Sequence, residues 1–203
     1  MRKVFLYLYP IKEYTEMFLC SDVQFYAKMG LKRPLVVLND CIQQRYRSNG
    51  YEIFFATYPD RDVYGMSPKG NDRLIFTDVS FEEASAIDSK GNVKKNFVPK
   101  YPNESYILDQ IGKVDELVIG GYHALDCVKR VANQAMLEGI KTLIDLDLTD
   151  FFFHLYKKES YFKIDEYSPL RYKEYVRSEA KRCGEIFFEK HFEETYDSKA
   201  YGF

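Results

Sequence analysis

Apolar residues come in two rhythms along this chain. Val4–Tyr9 is an unbroken run of β-branched and aromatic residues ended by Pro10, which predicts a buried strand. From Pro34 the spacing becomes helical: Leu35, Leu38, Ile42 and Tyr46 share one face, and Asn49-Gly50 closes the segment. Tyr51–Thr57 returns to strand and is stopped by Pro59. A strand, a helix and a strand in this order are the signature of a parallel sheet. Residues 11–33 are mixed, with a helix expected near Val23–Met29.

The pattern then loosens. Over 59–102, Gly, Pro, Asn, Asp and Lys are frequent. A strand is expected at Leu74–Val79, a turn at Asp88–Asn92, and a short helix after the capping-box spacing of Ser80-Phe-Glu-Glu83. This reads as a long excursion over the sheet edge that covers a site, not as a separate domain. Regular alternation resumes with a helix from Glu104 to about Gly112 and a strand at Glu116–Gly120. Gly120-Gly121 then predicts a tight turn. The helix that follows carries Val128, Val131, Ala132, Ala135 and Met136 on one face, with Gly139 placed to end it in a left-handed conformation. Lys141–Leu148 alternates aspartate with aliphatic residues, so one of its faces is expected to be wet or functional.

Residues 151–203 read as a helical extension. It holds a Phe-rich start at 151–156 and a long helix near Arg171–Phe192 with a stripe of Tyr172, Val176, Cys183 and Phe187. The whole, 1–203, is expected to be one three-layer αβα domain. Its mainly parallel sheet would have helices on both faces and a ligand site at the C-terminal strand ends.

Bulk properties narrow the partners. A chain of 203 residues buries one substantial core. The formal net charge of −2 supplies no general field for nucleic acid or an anionic membrane, and no apolar run reaches membrane-spanning length. Cys20, Cys41, Cys127 and Cys183 are scattered without a CxxC pair. Reduced thiols and a cytoplasmic location are expected. The 18 Tyr and 16 Phe, with no Trp, suit a planar small-molecule ligand or the interface of a homo-oligomer.

The candidate chemistry centres on Cys127. It falls at the first helical turn after a strand, where backbone N–H groups and the helix dipole favour a thiolate and an oxyanion hole. It is thus expected to be the most reactive thiol, although the same residue also suits simple packing of helix on sheet. His123, four residues earlier, would be placed to activate it. Asp145 and Asp147 share one face of their strand, as metal ligands or as an exposed edge. Lys94, Lys95 and Lys100 precede the helix that leads to the cysteine strand. No Gly-rich nucleotide fingerprint and no G-x-S-x-G elbow occurs.

The stretch Gly121-Tyr-His-Ala-Leu-Asp-Cys127-Val128 resembles the motif that ends a strand in the isochorismatase-like cysteine hydrolases. The glycine-to-cysteine spacing and the Val-x-x-x-Ala core of the next helix match. Lys100–Tyr106 looks like that family's lysine region, with Lys94 or Lys95 also permitted by counting, and the resemblance spans roughly residues 1–150. It implies Cys127 as a nucleophile on a small amide or related carbonyl compound, Lys100 as a polarising helper, and no cofactor. Two departures stand out. The family's acid at the end of the first strand is absent here, where Tyr7, Tyr9 and Pro10 stand, and Ala124 replaces the motif threonine. The resemblance also allows a catalytically inactive relative that binds a small molecule or a protein.

Overall fold

The protein is described by a computed structural model over residues 1–19, 34–87, 91, 93–98 and 100–150. Side chains are described there except at 16–19, 34–37, 83–87, 93–98, 124, 125, 146, 147 and 150. The expected helix at Val23–Met29, most of the turn at 88–92 and the extension over 151–203 lie outside the described residues.

Strand β1 (Lys3–Leu8) is fully apolar from Val4 onward and lies at the centre of a five-stranded parallel sheet. After α1 (Lys12–Leu19) comes α2 (Pro34–Cys41), which continues as one wide turn over Ile42–Tyr46 and a tight one over Arg47–Asn49. Gly50, at φ +75°, ends it. The helical face read from the sequence is the buried one, since Ile42 and Tyr46 are both inaccessible. The Tyr46 ring stacks on Phe5 of β1 at 3.9 Å. Strands β2 (Glu52–Thr57) and β3 (Arg73–Phe76) follow on one side of β1. The chain later returns to the other side of β1 with β6 (Glu116–Tyr122) and β7 (Lys141–Asp150), giving the order β3-β2-β1-β6-β7. Because parallel crossovers are right-handed, reversing the direction of winding puts the helices of the two halves on opposite faces. The result is a three-layer α/β fold.

Between β3 and β6 lies an antiparallel hairpin of β4 (Glu82–Ile87) and β5 (Val93–Val98). It replaces the short helix expected after Ser80. Phe81 is buried against the rings of Tyr14 and Tyr58, which fixes the chain's entry. Cross-strand pairing from Glu82↔Val98 to Ile87↔Val93 then satisfies the backbone that a helix would have satisfied locally. Helix α3 (Glu104–Ile111) is capped by Asn103, whose side chain accepts from the Ser105 and Tyr106 amides. Such a cap contributes about 1 kcal/mol. Helix α4 (Lys129–Leu137) packs on α3, and Gly139 ends it at φ +78° as its spacing implied.

Strand β6 (Glu116–Tyr122) departs from expectation, because it runs straight through both glycines and turns only at His123. The glycines serve close approach. A side chain at Gly120 would meet Leu148, and one at Gly121, at φ +109°, would collide with the Leu8 backbone. β7 (Lys141–Asp150) is not the regular alternating strand that Asp145 and Asp147 suggested. Ile144 pairs with Ile119 but Thr149 pairs with Gly121, so five steps on β7 match two on β6. The Thr149 hydroxyl closes the bulge by donating to the Asp145 carbonyl at 2.6 Å. Asp145 is therefore not on a wet face. It is 3% exposed, and its carboxylate accepts from Arg45 at 3.0 and 3.1 Å and from the Tyr46 hydroxyl at 2.6 Å. The other end of the sheet is tied by Arg2. Its guanidinium donates to both Glu52 oxygens and to the carbonyls of Ile111 and Lys113, and its amide donates to Asp115.

Candidate functional site

In an open parallel sheet the ligand crevice opens at the C-terminal strand ends where the winding reverses. Here that point lies between β1 and β6. Beyond β1 stands Tyr9, 1% exposed and at φ +55°, held by its amide bond to the Ala56 carbonyl at 2.8 Å. A left-handed conformation costs a tyrosine about 1–2 kcal/mol. Beyond β2 stands Tyr58, inaccessible, its ring 5.1 Å from that of Tyr9 and its hydroxyl donating to the Lys100 carbonyl at 2.9 Å. Tyr14 of α1 directs its hydroxyl at the Tyr58 oxygen. Tyr122 ends β6, and beyond it come His123 and the kinked turn Ala124–Val128, which holds the buried Cys127.

Cys127 is 6% exposed. Burial, reinforced by Asp126, pushes its thiol up to about 12, and Arg130 opposes this only partly. The thiolate expected from the helix N-terminus is therefore not favoured. The phenols of Tyr9, Tyr14 and Tyr58 are likewise driven up, first by burial and then by their charged-state repulsion with Cys127 and with one another. At neutral pH the inner site is a set of neutral donors and acceptors.

A set of polar contacts lies beside it. The Tyr101 hydroxyl donates to the Asp126 carboxylate at 2.8 Å, a bond that, with burial, pushes the phenol up to about 12. Arg130 lies over the Tyr101 ring at 4.6 Å and donates to Glu104. Both nearby carboxylates are thus engaged, and both raise the Cys127 thiol instead of accepting its proton.

The other residues singled out by the sequence fall as follows. The Lys100 ammonium is half exposed and pairs with Glu82 at 2.5 Å, and its carbonyl is the group that meets Tyr58. Lys94 and Lys95 lie on β5, opposite Ala86 and Ser85. Asp145 is paired with Arg45, on the β7 bulge. Among the described residues no group of three or more His, Cys, Asp or Glu is arranged to hold a metal ion, and no helix is long and apolar enough to cross a membrane. A cleft of about 500 Å³ lies at the opposite, N-terminal ends of β6 and β7, bordered by Gly112, Val114 and Gly139. It is remote from the winding reversal.

His123 is 5% exposed, and burial brings its imidazole down to about 3, so the folded protein holds it neutral against the rings of Tyr14 and Tyr122. The unfolded chain takes up this proton near pH 6.5 and the folded chain does not. The associated stability is therefore fully present above pH 6.5 and is lost as pH falls toward 3. Between pH 6.5 and 4.5 the loss should be about 2–3 kcal/mol. Glu52 and Glu116, held below the usual carboxylate range, act only below that window. Urea melts at stepped pH should show the loss in wild type and its absence in His123→Phe. Parallel curves would show that the histidine is not buried neutral.

Tyr9 and a tyrosine-lined site were named from the sequence, but Tyr58 and Tyr101 were not singled out, although a signal was there. Tyr9-Pro10, Tyr58-Pro59 and Tyr101-Pro102 are three Tyr-Pro dipeptides, and all three tyrosines converge on Cys127.

No family model and no curated protein matches the sequence. Among solved structures, a Leishmania donovani protein described as a candidate MAR1 ribonuclease is similar, with a TM-score of 0.46 at 11% identity over 80% of this chain and 74% of that one. A cysteine hydrolase from Pseudomonas syringae pv. phaseolicola has a TM-score of 0.45 at 12% identity, over 74% and 73%. An isochorismatase family protein from Desulfovibrio vulgaris has a TM-score of 0.45 at 11% identity, over 79% and 91%. The arrangement of strands and helices is thus similar to that of isochorismatase-family and cysteine hydrolase structures, and the likeness extends to the fold alone.

Proposed function

We propose that the Cys127 site is a binding pocket for a small uncharged molecule, in an isochorismatase-like fold whose hydrolytic chemistry has been replaced by neutral recognition. The observation that carries this reading is the company of the thiol. Phenols stand where a proton acceptor is needed, and Asp126 and Glu104 are engaged by Tyr101 and Arg130. With burial pushing the thiol up to about 12, the thiol and not the thiolate is the form present at pH 7. A nucleophilic cysteine works as the thiolate.

The second reading is a hydrolase with Cys127 as nucleophile and Lys100 as helper, acting on a small amide. It is favoured by the position of Cys127 in the first turn after β6, where Arg130 and the cysteine's own backbone N–H pull the thiol down.

Iodoacetamide labelling mapped by mass spectrometry separates the two. On the binding reading, Cys127 stays unlabelled in the folded protein up to pH 8 and labels in urea, and a panel of small amides shows no turnover above that of Cys127→Ala. Labelling at pH 7 at the rate of a free thiol, or turnover abolished by Cys127→Ala, would establish the hydrolase instead.

A further inference from the structure

Strand β3 is an edge of the sheet: among the described residues it pairs with β2 alone. The Thr77 amide donates to the Thr57 carbonyl at 2.9 Å, and successive residues of a strand direct their backbone groups to alternate sides. Arg73, Ile75 and Thr77 therefore turn toward β2, and the N–H and C=O groups of Leu74 and Phe76 turn away from it. The same two residues carry exposed apolar side chains. Leu74 is 49% exposed and Phe76 50%, on the face where their β2 neighbours Phe55 and Thr57 are buried. The usual guards of an open edge are missing. Arg73–Phe76 contains no proline, lysine or bulge, and the Arg73 guanidinium lies back over the Phe54 ring at 5.5 Å.

We propose that β3 is a self-association edge, pairing antiparallel with β3 of a second copy of this chain about a twofold axis at Ile75. What selects a second copy is the match of this edge with itself. In that register Leu74 lies opposite Phe76 of the second copy, and Phe76 opposite its Leu74. These are the outward-facing residues, so each pair exchanges its N–H and C=O groups as an antiparallel ladder requires. The axis stands perpendicular to the sheet, so like faces run on into one another and the exposed leucines and phenylalanines cover each other. On the opposite face Arg73 meets the uncharged Thr77 of the second copy. The next pair would be Asp72 with Asp78, whose carboxylates repel, so the ladder ends there. Sliding the register either way sets Phe76 against Asp72, which Arg47 already holds, or Leu74 against Asp78, and loses the apolar match. An edge this short covers less area than a permanent dimer needs, so the association is weak and follows concentration. It is also closed, because pairing uses the β3 edge of both copies.

Sedimentation velocity on the full chain, from about 10 µM to about 1 mM, should show a monomer passing into a dimer and nothing larger. Leu74→Lys is expected to weaken the dimer at least about 10-fold, because the twofold axis repeats the change in both pairs and adds the charge that guards an edge. Leu137→Lys is the control. It charges a leucine that is 82% exposed on α4, away from β3, and should leave the dimer unchanged. Hydrogen exchange of the wild type reads the ladder directly. The Leu74 and Phe76 amides should exchange about 10-fold more slowly in the concentrated sample, while Arg73 and Ile75 exchange alike in both. A chain that stays monomeric throughout, a dimer that survives Leu74→Lys, or species beyond the dimer would overturn the proposal. So would a dimer without slowed exchange at Leu74 and Phe76, a result that needs no variant to fold.

Discussion

Replacing Gly121 with alanine is expected to leave no stably folded protein. Gly121 lies in β6 opposite Leu8 of β1, and an added Cβ would collide with the Leu8 carbonyl oxygen and approach the Leu8 nitrogen to 2.6 Å. These are backbone atoms of the central strand, so no side chain can move aside to make room. The residue also holds φ at +109°, outside the range of an alanine. Relief would require β1 and β6 to separate at the point where the two halves of the sheet join. The expected cost exceeds about 4–5 kcal/mol, a large part of the 5–15 kcal/mol that holds a typical domain. Gly50→Ala is the control. Gly50 also has a positive φ but nothing lies within 4 Å of its absent Cβ, so only the conformational term of about 1–2 kcal/mol should appear. Circular dichroism melts of both variants decide the matter. A Gly121→Ala protein melting within a few degrees of wild type would mean that β1 and β6 are not packed this closely.

Asp145→Asn should destabilise by about 3–5 kcal/mol, the usual cost of removing one charge from a buried pair. Arg45 is 4% exposed and Asp145 3%, so the guanidinium would lose a carboxylate charge that it meets inside the protein. Replacing both together, Arg45→Met with Asp145→Leu, should recover most of the loss, because well-packed apolar groups substitute for buried ion pairs at little cost. Urea denaturation of the single and double variants measures this. A single variant within about 0.5 kcal/mol of wild type would place the pair in water.

Where the hydrophobic rhythm was strong and local, the sequence was readable. Val4–Tyr9, the face of Leu38, Ile42 and Tyr46, Tyr51–Thr57 and the helix after Cys127 all appear within a residue or two of their expected limits. These elements bury one continuous face, and burial leaves its period in the chain. What failed depended on distant partners. Ser80-Phe-Glu-Glu83 has the local spacing of a capped helix, but Phe81 is claimed by Tyr14 and Tyr58, and β5 supplies hydrogen bonds from further along. Asp145-Leu-Asp-Leu148 has the alternation of a half-wet strand, yet Arg45, 100 residues earlier, draws Asp145 inside a bulge. Cys127 was findable from its spacing to Gly121. Its loss of thiolate character was not, because that comes first from burial, which the spacing of the motif does not show, and then from the charges of Asp126 and Glu104.

The central position of β1 has a consequence for how the chain is made. Its two flanks are built at very different times: Glu52 of β2 pairs with Val4, but Glu116 of β6 pairs with Lys3. On the ribosome, β1–β2–β3 can assemble early, and β1 then carries a bare parallel edge through the synthesis of the hairpin and α3. That edge is wholly apolar from Val4 to Leu8, the kind of surface that recruits other chains when left unpaired. Only when β6 emerges does it slide in beside β1, and its two glycines let it come close enough to seal the gap. Translation speed across the stretch between β3 and β6 therefore sets how long each nascent chain is vulnerable to aggregation.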